Sequence, residues 1–402
     1  SLPGRRAARL PYPRRPRRAG ASAVRLLHVA DLHLGRQFDG ISLEAEHDAV
    51  LDQIAGAAAD RNVEALVIAG DIFDRPAPPA SAVRQFNAFL RRIAAETHAA
   101  VVMIAGNHDQ GDRIGAMAVL TDPARALVRG AVAAEEPPLV LRDAHGPVAF
   151  SALPFAYEYA ARAAFADETI ETPEDVLRAQ LAAARAALPE GARWVVTAHA
   201  FVAGGVAGET ERPLARVGGI ETVSPAVFEG AHYVALGHLH RPQQAGAPHI
   251  RYAGAPLAFG FDEAGAEKSI SFVELDGEGR AHVETIPLHP LRGVRVMRGR
   301  HAEILAAEPS EDFVRAVLTD EAPVIDGMKR LRAVFPNACE LVYEAHARAP
   351  ETKSAGGPAR PASPMELLGD FLEAVRGAGL TEAEARAAAA ALEAETRGDD
   401  AA

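Results

Sequence analysis

Four short segments combine carboxylates, an amide and imidazoles at spacings suited to metal binding: Asp31-Leu32-His33, Gly70-Asp71-Ile72-Phe73-Asp74, Gly106-Asn107-His108-Asp109 and Gly237-His238-Leu239-His240. Each directly follows a run of apolar, largely β-branched residues, and His199 closes another such run. The candidate ligands are Asp31, His33, Asp71, Asn107, His199, His238 and His240. One residue separates Asp31 from His33, which sends both to the same side of an extended strand tip. Asp71 has two oxygens with which to bridge a pair of ions, and Asn107 adds a neutral carbonyl oxygen. A mixed nitrogen and oxygen set without sulfur suits Mn, Fe or Zn better than Ca or Mg. Two divalent ions about 3.5–4 Å apart can share a hydroxide and clamp the oxygens of an in-line displacement at phosphorus. Their charge of +4 against the −2 of Asp31 and Asp71 leaves +2, matched to one hydroxide and a phosphodiester anion.

His108 is the candidate general acid, because a P–O bond breaks more easily when its leaving oxygen is protonated or electrostatically stabilised. Asp109 is expected to orient that ring. Asp74, one turn past Asp71, either holds a histidine ligand in the right tautomer, meets substrate, or is a helix-start carboxylate. Among the remaining histidines only His28, one strand alternation from the first motif, invites a functional reading.

Such residues converge only if the elements before them lie side by side. Val24–Ala30, Glu64–Ala69 and Ala100–Ala105 read as strands, separated by helices over Leu43–Arg61 and Ala80–Thr97. Leu51, Ile54 and Ala58 mark one face of the first helix. This alternation predicts a parallel layer with crossover helices. Open α/β sheets place ligands beyond the carboxyl ends of their strands, where all these motifs fall. Val148–Leu153, Arg193–Ala198, Tyr233–Leu236, His249–Tyr252, Ile270–Leu275 and His282–Pro287 are shorter, with few helices between them, and predict a second sheet packed on the first. The fold class expected is α/β, a two-sheet sandwich flanked by helices, with a small α+β appendage and a C-terminal helical tail.

The expected domains are a basic extension over residues 1–23, a catalytic domain over 24–287, the appendage over 288–347, a linker over 348–363 and a helical segment over 364–402. The extension carries seven Arg and no acid in its first twenty residues and reads as disordered, or as an upstream-extended gene start. In the appendage, strands are expected at Gly293–Arg298 and Glu340–Ala345 and helices at Ser310–Thr319 and Asp326–Phe335. The linker holds three Pro and two Gly. Two helices, Pro364–Val375 and Thr381–Thr396, follow it. Thr381-x-x-Glu384 forms a capping-box pattern, and Met365, Leu367, Leu368, Phe371, Leu372 and Val375 give an apolar face suited to a partner.

With 49% apolar residues the 402-residue chain supports a substantial core. The single cysteine, Cys339, excludes an intramolecular disulfide and thiolate clusters and fits a reducing, cytoplasmic setting. No apolar run approaches the ~20 residues of a membrane span. A net charge of −12 is weak evidence about partners, since metal ions make a pocket positive whatever the total.

The motifs resemble those of the calcineurin-like metallophosphoesterases, and within them the SbcD branch, the nuclease subunits of the bacterial SbcCD DNA exonuclease. The resemblance rests on Leu26-Leu-His-Val-Ala-Asp-Leu-His-Leu-Gly35, Glu44-Ala-Glu-His47, Ala69-Gly-Asp-Ile-Phe-Asp74 and Ala105-Gly-Asn-His-Asp109. It continues in Tyr233-Val-Ala-Leu-Gly-His-Leu-His-Arg241, Arg251-Tyr-Ala-Gly-Ala-Pro256 and Phe259-Gly-Phe-Asp-Glu263 with Lys268. It implies the metal ligands named above, with Asp71 bridging, His108 as catalytic histidine and two Mn²⁺ ions. It also implies a DNA nuclease, exonuclease from 3′ to 5′ and endonuclease on single strands and hairpins, serving repair and recombination. The appendage would be a capping domain. The tail would bind an SbcC-like coiled-coil ATPase, and the nuclease subunits would pair as a homodimer. The archaeal and eukaryotic relatives carry His where Asp74 stands, so no role for that position transfers from them. The alternative is a stand-alone small-molecule phosphodiesterase or phosphatase, which needs neither appendage nor tethered helices.

Overall fold

The computed structural model describes residues 23–344, except 120, 212–214, 217–218 and 221, together with 365, 369, 379–381 and 383–389. One six-stranded sheet runs in the order Ala281–Leu288, Lys268–Leu275, Val24–Val29, Ala65–Ala69, Ala100–Ile104, Ala126–Arg129. Its last four strands are mutually parallel, and the two late strands join antiparallel. The second sheet runs Gln243–Ala245, Ala247–Tyr252, Tyr233–Gly237, Arg193–His199, Gly146–Leu153, Leu139–Asp143, parallel within and antiparallel at both edges.

Continuous apolar runs make these strands because both faces are covered. Leu26, Val67 and Val102 of the first sheet meet Phe150, Val195 and Ala235 of the second in the space between them. The alternate residues Leu27, Val29, Leu66 and Ile68 face outward under the helices Glu44–Asp60 and Ala80–Glu96, against Leu51, Ile54, Phe86 and Ile93. On the far side, Leu177, Leu181 and Ala184 of helix Pro173–Ala186 cover Trp194 and Val196. Thr172 and Asp175 form a capping box at the start of that helix, with Pro173 at its first position. The sequence pattern underestimated this region, which also holds the helix Glu158–Phe165.

His28 has a structural place. It sits fully buried between the sheets, its Nε2 donating to the Leu236 carbonyl at 3.1 Å and its Nδ1 lying 3.0 Å from the Tyr233 hydroxyl. Burial pushes its pKa down to about 3, so it serves as a neutral cross-tie away from the ligand cluster.

Beyond the sandwich, Val294–Gly299, Phe313–Leu318 and Ala338–Tyr343 form a parallel three-stranded sheet, connected by the short helices His301–Leu305 and Gly327–Arg332. The helix expected over Ser310–Thr319 is therefore a strand, and the central one. Its apolar run is short enough to fit either period, and its β-branched residues favour the pleat. Val314, Ala316 and Leu318 pack on Ile304, Leu331 and Phe335. Phe313 faces the other way, stacked on Phe38 of the sandwich at 4.6 Å and covered by Arg292, which pairs with buried Glu46.

A second compact unit spans Arg348–Ala402. In it residues 383–389 are helical, and Thr381 and Glu384 bond reciprocally as a capping box, at 2.8 and 3.4 Å. The basic extension, the linker over 348–363 and most of the apolar tail face lie outside the described residues. No helix among the described residues is long and apolar enough to cross a membrane.

Candidate metal centre

Because the carrying strands are parallel, their carboxyl ends open at one edge of the sandwich. Register aligns Gly237 with His199 across the second sheet, and Ala69 with Ile104 across the first. Ligand atoms of Asp31, His33 and His240 lie within 4.8 Å of one another, as do those of Asp31, Asp71 and His199, and those of His33, Asp74 and His108. Asn107 Oδ1 lies 2.9 Å from His199 Nε2 and 3.2 Å from His238 Nδ1. All seven candidate ligands thus meet, from segments as far apart as residues 31 and 240.

The backbone is bent to achieve this. Asp31, His33, Asp71 and His238 have φ of 53°, 44°, 50° and 110°. Non-glycine residues hold such values only where surrounding structure enforces them, and such strain clusters at functional sites. Here the enforcement is visible: Asp31 N–H donates to the Gly70 carbonyl at 3.1 Å, His33 N–H to the Asp71 carbonyl at 3.0 Å, and Leu34 N–H to the Ile72 carbonyl at 3.0 Å. The glycines of the motifs are spacers for close approach. A Cβ on Gly106 would stand 2.2 Å from Asp71 Oδ1, and one on Gly237 would stand 1.9 Å from the Ala69 carbonyl oxygen.

Hydrogen bonds fix which atoms face inward. His199 Nδ1 donates to the Ala69 carbonyl at 2.9 Å, leaving Nε2 toward Asn107 Oδ1 and, at 3.4 Å, Asp71 Oδ2. His33 Nε2 is 3.7 Å from the same Asp71 oxygen. Asp71 Oδ1 accepts the His108 N–H at 2.8 Å. A single oxygen of Asp71, rather than the pair, therefore faces both ligand groups. His108 Nδ1 donates to the Asp74 carbonyl at 2.9 Å, so its Nε2 is the free end.

Asp109 does not touch that ring. Its carboxylate accepts the N–H groups of Ile72, Phe73 and Gly106 at 2.9–3.0 Å and staples two ligand loops together. No helix starts at Asp74, since the following helix begins at Ala80. Its carboxylate is 3.6 Å from His33 Nδ1, too long for a hydrogen bond, and 3.4 Å from Arg36 Nη1.

Residues outside the motifs complete the setting. Thr210 Oγ1 lies 2.9 Å from His240 Nδ1, and the buried Glu211 carboxylate accepts the His240 N–H at 2.8 Å. The Phe259 ring stands edge-on to His33 and His240 at 5.2 and 5.3 Å. Behind it the fully buried pair Lys268–Glu263 closes at 2.5 Å, with Lys268 Nζ also 3.3 Å from the His240 carbonyl oxygen. Neither Thr210 nor Glu211 carries a sequence signal, because both belong to an irregular loop about thirty residues before the histidine they hold. At the mouth, Arg36, Gln37, Gly40, Asp74, Arg75, His108 and Thr210 line a cavity of about 430 Å³.

The electrostatics fit cations. Burial pushes His33 and His240 down and His238 to about 3, which leaves neutral imidazoles with lone pairs to donate. Burial, and secondarily the Asp71 charge, raises Asp109 to about 7, while Asp31 is raised well above its usual range by burial first. Burial also opposes ionising His199 and Asp71, but their mutual attraction outweighs it, raising His199 to about 9 and lowering Asp71. Both ring nitrogens of fully buried His33 have no hydrogen-bond partner. Orphaned imidazole nitrogens facing carboxylate oxygens in a buried cluster are what divalent ions satisfy.

Comparison with known families agrees with this chemistry. A family model described as calcineurin-like phosphoesterase matches residues 24–242. A second, SbcD_C, described as type 5 capsule protein repressor C-terminal domain, matches residues 287–376. One matching solved structure, described as GAP50, the anchor in the inner membrane complex of Plasmodium, is 9% identical, with 80% of this chain and 97% of that one covered at a TM-score of 0.37. A likeness of that size carries no argument.

Proposed function

This chain belongs to the calcineurin-like phosphoesterase family, a hydrolase of phosphodiester bonds, and from that premise we propose that it is the nuclease subunit of a DNA-end-processing complex. The observation that carries the reading is the pairing of one converged metal centre with an SbcD_C segment over residues 287–376. That segment points to an SbcC-like partner at the level of the family.

In this reading Asp31, His33 and His240 would hold one ion, Asn107, His199 and His238 would hold the other, and Asp71 would contribute to both. The mixed imidazole, carboxylate and amide set admits Mn, Fe or Zn, and among these we favour Mn²⁺ because the resemblance to the SbcD branch implies it. Bound there, divalent ions supply an activated water and neutralise a phosphodiester's charge. His108 acts from the side of the leaving group. Its Nδ1 is committed to the Asp74 carbonyl, so Nε2 is the atom that carries a proton to the departing oxygen. Asp74 is a positioning residue: its carbonyl orients His108, and its carboxylate lies between His33 and Arg36. Arg36 and Arg75 at the mouth favour an anionic backbone.

Residues 24–287 form the nuclease domain in this proposal, 288–347 the capping domain, 348–363 the linker and 364–402 the helices that hold the ATPase, within an assembly of paired nuclease subunits acting in DNA repair and recombination. Mn²⁺-dependent degradation of linear duplex DNA, reduced at least about 100-fold by His108→Ala, is the expected result. Turnover of a cyclic nucleotide with no action on DNA would instead establish a stand-alone phosphodiesterase. Deleting residues 364–402 should abolish co-purification with the ATPase while hydrolysis of a simple aryl phosphodiester persists. Retained co-purification would place the partner contact elsewhere.

A further inference from the structure

Two rings stand in water beside the metal centre. Tyr157 is 52% exposed and Tyr159 67%, and no other Phe, Tyr or Trp among the described residues is exposed. Their planes lie 11° from parallel, with centroids 5.8 Å apart. Phe155 meets Tyr157 edge-on at 5.1 Å, and the His199 ring lies 6.4 Å beyond Phe155. An unbroken line of four rings therefore runs from the imidazole that faces Asp71 and Asn107 out to solvent.

The line is held in place. Phe155 N–H donates to the Ala105 carbonyl at 3.0 Å, directly before the Gly106-Asn107 segment, and Tyr157 caps the helix Glu158–Phe165 that carries Tyr159. Leaving two large ring faces exposed forgoes the burial that aromatic side chains ordinarily obtain. Their position next to the centre says what should cover them.

We propose that Tyr157 and Tyr159 form a stacking platform for unpaired nucleotides of a DNA strand whose phosphodiester lies in the metal centre. The inference rests on the nuclease reading and assigns residues to the recognition of unpaired strands. Paired bases stack on one another and hide their faces, whereas unpaired bases present a ring face to any aromatic platform, whatever their sequence. A hairpin loop, a single-stranded tail or a frayed end supplies such bases next to a scissile bond. A platform continuous with the centre thus selects for unpaired structure.

The test uses the full chain and a labelled oligothymidylate of about 20 nucleotides, with binding read by fluorescence anisotropy without added metal and cleavage read with Mn²⁺. Replacing both rings, Tyr157→Ala with Tyr159→Ala, is expected to weaken oligothymidylate binding and single-strand and hairpin cleavage about tenfold or more. Binding of a blunt, closed duplex and turnover of bis(p-nitrophenyl) phosphate, too small to reach the rings, should stay within about twofold. The pair Tyr157→Phe and Tyr159→Phe keeps the ring faces and should behave as the parent. Unchanged oligothymidylate binding in the alanine pair, an equal loss on closed duplex, an altered oligomeric state, or a loss in the phenylalanine pair would each overturn the platform. A parent protein that hydrolyses the aryl diester but neither binds nor cuts DNA would overturn the nuclease reading itself. DNA cleavage left intact by the alanine pair would overturn the platform alone.

Discussion

The two halves of the metal centre are built by different means. On the first sheet, Asp31, His33, Asp71 and Asn107 sit on three loops stitched by main-chain hydrogen bonds and by the Asp109 carboxylate, which reaches three N–H groups. Three of those four residues are held at positive φ. On the second sheet, His199 is tied to the Ala69 carbonyl, while His240 depends on Thr210, Glu211 and the Lys268–Glu263 pair, all outside its own strand. The first half is thus held by main-chain hydrogen bonds and a bent backbone, the second, although His238 is also at positive φ, mainly by side-chain contacts. Damage to the first should disable the whole centre, whereas damage to the second should be graded and confined to the His240 side.

The strongest way to break that contrast is Gly106→Ala. The added Cβ would meet Asp71 Oδ1 at 2.2 Å and Asp71 N at 2.4 Å, atoms that the stitched loops cannot move. Aryl phosphodiester turnover should fall on the order of 100-fold or more, with both ions bound more weakly in a metal titration. Loss of only one ion would show that the loops on the first sheet yield independently.

Lys268→Met probes the other half. It leaves Glu263 buried without its counter-charge, and breaking such a pair costs about 3–5 kcal/mol. Chemical denaturation should report that loss. In the protein that remains folded, the ion proposed at Asn107, His199 and His238 should keep its affinity, because the hydrogen bonds of Lys268 go to Glu263 and the His240 carbonyl. An equal weakening of both ions would erase the proposed division.

The same contrast explains what the sequence could disclose. The motif residues were legible because each lies directly after an apolar strand, and parallel strands bring their ends to one edge whatever the distance along the chain. Two sheets followed from the same runs, but the strands expected at Ile270–Leu275 and His282–Pro287 belong to the first sheet rather than the second. Lys268–Leu275 pairs antiparallel with Val24–Val29 and carries Ala281–Leu288 outside it. Thr210 and Glu211 were not legible, since hydroxyl and carboxylate residues in an irregular loop look alike whether or not they hold a ligand. Asp109 was visible but misassigned: accepting main-chain N–H groups has no partner side chain to betray it in the sequence. The strand Phe313–Leu318 was misread because six residues with apolar side chains at most positions satisfy both the helical and the pleated period.

Thr210→Val gives the smallest and most informative effect. Valine fills nearly the same volume but offers no oxygen to His240 Nδ1, 2.9 Å away in the parent. The ring then loses the contact that fixes its tautomer and orientation, while His240 N–H remains held by Glu211. Removing an outer partner of a ligating histidine typically weakens a metal site about 10–100-fold, and the intact backbone anchor argues for the lower end. A two-site metal titration should therefore show one ion weakened about tenfold and the other unchanged. Thr210→Ser, which keeps the oxygen, should restore the parent isotherm. If serine fails where valine fails, the loop's packing rather than its hydroxyl positions His240, and the second half of the centre is as much a matter of backbone shape as the first.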